Sequence, residues 1–228
     1  MTDVLLLDFN GVIVNDERLH FETFRDVLKT AGVELGREEY EREFLGMGND
    51  TIAFAKAGER SGGWEAEKID ELVRRKSRLY RERARQSLPL VDGAAEFVRA
   101  AAKVARIAVV SGAWRNEVEF GLEKAGIADV IEVIVAAEEI QVGKPEPEGF
   151  LLALERLGRP QGAPLHDFRV IVIEDSLPGL EAARKLGAGC VMIASSHQRE
   201  TLTGADAIWD SFAGHDVREL EPLWRVIR

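Results

Sequence analysis

The chain has 228 residues, 46% of them hydrophobic, and a formal net charge of -10. That is enough apolar material for one large domain or for a core with a smaller insertion. The negative balance argues against a general nucleic-acid or membrane-surface binder, since both need positive surface, but it leaves room for a small anionic substrate in a local basic pocket.

The first predicted element is the apolar run Val4–Leu7 in "LLLDFNGVIVND", which ends in a carboxylate, Asp8, and a glycine turn. The segment that follows, to about Ser87, is highly charged and reads as helices. "RLHFETFRDVLKTAG" is amphipathic and stops at Gly32. "REEYEREFLGMG" is shorter and stops at glycines, and "SGG" at 61–63 is a loop. "WEAEKIDELVRRKSRLYRERARQ" is long, acidic early and basic late, as the helix dipole favours. From Pro89–Gly93 onward short apolar runs alternate with helical patterns: Ala94–Lys103, Ile107–Val110, Arg115–Ala125, Val130–Val135, Pro147–Leu157, Val170–Ile173, Leu177–Leu186 and Cys190–Ile193. Runs too short for a helix and apolar throughout suit strands buried on both faces of a parallel sheet. The expectation is an α/β fold: a doubly wound, Rossmann-like parallel-sheet core, residues 1–15 and 88–228, interrupted by an all-helical insertion, residues 16–87.

Cys190 is the single cysteine and lies in an apolar run, so it reads as an inert core thiol. No disulfide can form within one chain, which suits a reducing cytoplasm. No stretch approaches the roughly 18 apolar residues of a membrane span. A soluble, cytoplasmic protein is expected, with no nucleic-acid or membrane partner, as a monomer or weak dimer.

In an open parallel sheet, ligands bind at the carboxyl ends of the strands. Asp8 follows the first run, Ser111 and Gly112 the second. Lys144 lies in "VGKPEPEGF" after the third, and Glu174-Asp175-Ser176 ends the fourth. Taken singly, each has an ordinary structural explanation: Asp8 an Asx turn, Ser111 a turn or helix cap, Lys144 a solvated loop residue, Asp175 or Ser176 the cap of the next helix. In this order they make a coherent phosphotransfer site. The acidic pair would hold Mg²⁺, which offsets repulsion between Asp8 and a phosphate dianion, and Ser111 and Lys144 would bind phosphoryl oxygens.

With "DFNGVIVND", "VVSGA", "VGKPEPEGF" and "VIEDSLPGLEAA", the sequence resembles the haloacid dehalogenase superfamily over nearly its whole length. It is most similar to the group of β-phosphoglucomutase and the small sugar-phosphate phosphatases. The resemblance implies that the insertion is a cap. It makes Asp8 a nucleophile that forms an aspartyl-phosphate. Mg²⁺ would be held by Asp8, the main-chain carbonyl of Asn10 and Asp175, with Glu174 beside it. "FLGMGND", with Gly46 and Asn49, would face the active site. Mutase relatives carry an arginine there for a second phosphate; its absence favours a monophosphate phosphatase over a sugar phosphomutase. Gly112, Arg115, Asn116 and His20 are further candidates for substrate contact, with solvent-facing or packing roles as the alternative.

The family's general acid/base is an aspartate where this chain has Asn10, and an amide cannot exchange a proton in that way. Three explanations stand: an engineered substitution that traps an intermediate, a naturally slow or specialised enzyme, or proton transfer by Asp16 or His20. A non-catalytic ligand-binding relative is the competing class. The expected substrate is a small phosphorylated metabolite, most simply a sugar phosphate.

Overall fold

The computed structural model describes residues 2–45, 50–158 and 168–227. The chain divides into two compact units: residues up to Asn15 together with those from Pro89 onward, and Asp16–Leu88.

The first unit is built on a seven-stranded sheet. Its strands are β1 (Thr2–Leu7), β2 (Arg106–Val110), β3 (Val133–Val135), β4 (Phe168–Glu174), β5 (Gly189–Ile193), β6 (Ala207–Trp209) and β7 (Arg225–Val226). The order is β3-β2-β1-β4-β5-β6, all parallel, with β7 antiparallel on β4. The helices of this unit are α5 (Ala94–Ala101), α6 (Arg115–Ala125), α7 (Glu148–Arg156) and α8 (Leu177–Leu186). The doubly wound expectation therefore holds, and the order reverses at β1/β4, where such sheets open a crevice. Val4 and Leu6 pack in one cluster with Phe150 of α7 and Leu180 of α8. Successive strand residues point to opposite faces, so Leu5 and Leu7, equally buried, line the other face. Each such fully buried side chain stabilises the fold by about 1.5–3 kcal/mol. This explains why β1 reads as an unbroken apolar run.

The second unit contains α1 (Glu17–Thr30), α2 (Arg37–Glu43), α3 (Asp50–Gly58) and α4 (Ala66–Gln86). Phe21, Phe24, Tyr40, Phe44, Phe54 and Leu72 pack in its core, with the Phe24 and Phe54 rings 4.6 Å apart. No helix among the described residues is long and apolar enough to cross a membrane.

The structure differs from expectation in detail. The third strand is only Val133–Val135, because Val130 N closes a turn on Ile127 O at 3.1 Å. Strands β6 and β7 are three and two residues long, too short for periodicity to register. Helix α3 was not expected: Ala53, Phe54, Ala57 and Gly58 bury a face made largely of small residues.

Candidate active site

Strand β1 lies between β2 and β4, so Asp8 emerges mid-sheet at the carboxyl edge. Its backbone N donates to Ile173 O at 2.9 Å, extending the ladder one residue past the strand. The buried Phe9 anchors the turn that follows. Ile13 N and Val14 N both donate to Phe9 O, and Gly11 N donates to Val14 O at 2.7 Å. Gly11 has φ +74, where glycine is favoured. A Cβ there would also overlap the Asp175 carboxylate. Asn10 sits inside this turn, bridged to Val14.

Glu174 ends β4 and is fully buried. Its Oε2 accepts from Asp175 N at 2.9 Å, Ser176 N at 3.0 Å and Ser176 Oγ at 2.9 Å. Ser176 Oγ also caps α8 by accepting from Gly179 N at 3.2 Å. Lys144, from the loop after β3, donates to Asp8 Oδ1 at 2.5 Å, to Glu174 Oε1 and to Val110 O at 3.3 Å. All three ammonium donors are therefore used. The next residue after Val110 is Ser111, which is buried; its N donates to Val135 O and its Oγ accepts from Ala113 N, both at 3.0 Å.

Oxygens of Asp8, Glu174 and Asp175 all lie within 4.8 Å of one another. Burial pushes the Asp8 carboxyl up to about 7; Lys144 opposes the rise and Glu174 adds to it. Asp175 is raised well above the usual range by burial, then by Glu174 and Asp8. Burial would lower Lys144, but the Asp8 and Glu174 carboxylates more than offset this and raise it. With all three carboxylates ionised, as cation binding would require, one ammonium would leave an excess of two negative charges in a buried site. Uncompensated buried charge is costly, and a hard divalent cation with oxygen ligands matches both the charge and the donor type. The residues fit Mg²⁺. Asp8 and Asp175 offer carboxylate oxygens for it. Glu174 is different: its oxygens are already engaged by Lys144 and the Asp175–Ser176 backbone, so its geometry suits anchoring the lysine.

The other expected residues have their own surroundings. Arg115 donates to Ile134 O at 2.9 Å and pairs with Glu139 at 2.5 Å. Asn116 is exposed in the first turn of α6, and Gly112 is exposed in the loop before it. Gly46 and Asn49 lie outside the described residues. His20 belongs to the helical unit. Its Nδ1 is 3.0 Å from Lys76 Nζ and its Nε2 is 3.2 Å from Asp16 Oδ2, while the ring stacks on Tyr80 at 4.6 Å. An ammonium only donates, so Nδ1 is the acceptor and Nε2 carries the proton toward Asp16. Tyr80 OH also donates to Asp16, and Lys76 pairs with Asp50 at 2.6 Å. Two residues that the sequence reading did not single out, Ser195 and Ser196 after β5, reach the Gly11 turn. The signal available was "ASSH" directly after a fifth apolar run.

A family model described as haloacid dehalogenase-like hydrolase matches residues 2–187. The chain belongs to the haloacid dehalogenase-like hydrolases. Proteins similar to the chain include a phosphorylated carbohydrates phosphatase of Thermotoga maritima, 30% identical over 81% of this chain and 82% of that protein. Protein CbbY of Rhodobacter capsulatus is 31% identical over 86% of each. A solved structure of CbbY from Rhodobacter sphaeroides superposes with a TM-score of 0.77 at 30% identity, covering 94% of this chain and 96% of that one. That structure is of an aspartate-to-asparagine mutant in complex with xylulose-(1,5)bisphosphate. The haloacid dehalogenase-like fold and hydrolase class expected from the four motifs are thus established.

Proposed function

We propose that the chain is a Mg²⁺-dependent phosphatase that transfers the phosphoryl group of a small phosphorylated metabolite, most simply a sugar monophosphate, to Asp8. The observation that carries this reading is the convergence of Asp8, Glu174 and Asp175 with Lys144 bridging two of them at the carboxyl edge of the sheet. The phosphatase and CbbY relatives support it. Asp8 attacks phosphorus as a carboxylate and needs no base. Lys144, held in place by Glu174, offers a fixed positive charge to the phosphoryl oxygens, and Ser111 offers a hydroxyl at the adjacent strand end. Mg²⁺, when bound, neutralises phosphoryl charge facing Asp8. Positioning and charge supply most of the catalysis in such reactions. The helical unit, residues 16–88, acts as the cap that selects the leaving group.

The test is a screen of phosphate esters with Mg²⁺, reading phosphate release with and without EDTA. Release that depends on Mg²⁺ and is lost in Asp8→Ala supports the reading; release unchanged in EDTA would end it. Asn10 favours one second reading, a protein that holds its phosphorylated ligand with little turnover. The bisphosphate complex of an aspartate-to-asparagine CbbY mutant is in keeping with it. Ligand binding without repeated turnover separates the two.

A further inference from the structure

Four strand ends supply the proposed site, and the fifth adds something different. Strand β5 does not touch β1, because β4 lies between them. Its following segment nevertheless crosses to the Asp8 turn. Ser195 Oγ donates to Gly11 O at 2.5 Å, a bond between residues 184 apart in sequence. The Ser196 hydroxyl hydrogen-bonds the Asp175 side chain. A Cβ added at Gly11 would overlap the Asp175 carboxylate and stand 2.9 Å from Ser196 Oγ, so serine, carboxylate and turn meet at one point. The base of the segment is fixed by Ala194 N donating to Trp209 O at 2.8 Å.

We propose that Ser195 and Ser196 form a strap that positions the divalent-cation donors. Ser195 holds the Asn10–Gly11 turn through Gly11 O, against the Asp175 carboxylate, and Ser196 orients that carboxylate. Neither serine touches the reacting atoms; both are positioning residues. Both hydroxyl partners, Gly11 O and the Asp175 side chain, lie on other strand ends. The strap rests on the Mg²⁺ reading above. It extends that reading in one respect: cation affinity is set partly by a strand not adjacent to the nucleophile's.

Calorimetric titration of Mg²⁺ into the metal-free full chain tests this without reference to activity. Groups that orient metal ligands typically contribute about 10–100-fold in affinity. Ser196→Ala and Ser195→Ala should each weaken Mg²⁺ binding by about tenfold or more, while the melting temperature without Mg²⁺ stays at the wild-type value. Ser196→Thr, which keeps the hydroxyl, should restore wild-type affinity. Alanine variants that bind Mg²⁺ as tightly as wild type overturn the strap and leave the metal site standing. A threonine variant as weak as alanine also overturns it, because the hydroxyl is then not what matters. Wild-type protein that binds no Mg²⁺ removes the metal reading and the strap together.

Discussion

Asn10 is the residue whose identity most constrains what this protein does. Its main-chain role in the turn is intact: Gly11 N still reaches Val14 O, and the bridge to Val14 is formed. On the proposed mechanism, an amide there cannot give and take a proton at the leaving oxygen. That reading predicts that the first half-reaction on Asp8 survives, more so for aryl phosphates, whose leaving groups need little protonation, and that release of phosphate from Asp8 lacks an activated water. General acid–base catalysis is worth about 10²–10⁴-fold, so Asn10→Asp should raise steady-state turnover at least about tenfold, with alkyl esters gaining more than aryl esters. Equal or lower rates on both ester classes would show that another group carries the proton. Asp175 makes a complementary case. Its carboxyl is raised by burial and by Glu174 and Asp8, so it is held at a cost when no cation is present. Asp175→Ala should abolish Mg²⁺ binding and activity without lowering the melting temperature of the metal-free protein.

Helix α8 shows how an element, rather than a residue, builds the site. It starts where Ser176 caps it, and its first turn comes so close to Glu174 that only glycine fits at position 179. A Cβ there would overlap the Glu174 carboxyl group. An ordinary helical Gly→Ala change gains up to about 1 kcal/mol. Here the sign reverses, because Glu174 cannot move without giving up Lys144 and three donors from Asp175 and Ser176. Overpacking of this kind costs about 1–3 kcal/mol. Gly179→Ala should lower stability by that amount in urea unfolding and should reduce activity further by displacing Lys144. A stabilised, fully active variant would show that the close approach is unimportant.

For the molecule as a whole, the buried acidic cluster predicts an unusual dependence of stability on pH. Paired carboxylates such as Glu139 and Asp216, both lowered to about 2, contribute stability that is lost only as pH falls into that range. Asp8 behaves in the opposite sense. Its native value of about 7 lies above the ordinary 3.8, so the native state binds more protons than the unfolded chain between those values. The slope of unfolding free energy against pH is then negative. The contribution is present below about pH 4 and is lost as pH rises through about 7. Asp175, also raised, acts in the same direction. Lys144 is raised from 10.5, so its contribution is complete throughout this range. Mg²⁺ and protons compete for the same oxygens, and a ligand that binds only the native state stabilises it. Saturating Mg²⁺ should therefore raise the melting temperature more at pH 8 than at pH 5, and Asp8→Asn should flatten the difference. An equal or larger Mg²⁺ effect at pH 5 would place the cation elsewhere.

That Asp8, Lys144, Glu174 and Asp175 meet was readable from the sequence, because strands buried on both faces write themselves as apolar runs, and the residues that follow such runs gather at one edge of a parallel sheet. The alternation of those runs with helical patterns is likewise local information, and it was sufficient for the doubly wound class. The strand order was not readable, since nothing local in Val4–Leu7 says that it pairs with both Ile107–Val110 and Val170–Ile173. Nor was the division of labour among the carboxylates. Glu174 and Asp175 are adjacent and chemically alike, yet one turns inward to Lys144 and the Ser176 backbone while the other stays beside Gly11. The sequence left Arg115 open between a phosphate contact and a solvent-facing role, and nothing local announced its bonds to Glu139 and the Ile134 carbonyl. Ser195 and Ser196 had no partner within reach in sequence. Their bonds to Gly11 and Asp175 exist only because packing β4 between β1 and β5 brings three strand ends to one point. Residue type and spacing carry the chemistry that acts within a turn of chain. Bonds across about 180 residues depend on which strands lie side by side, and that is decided by the burial of the whole sheet.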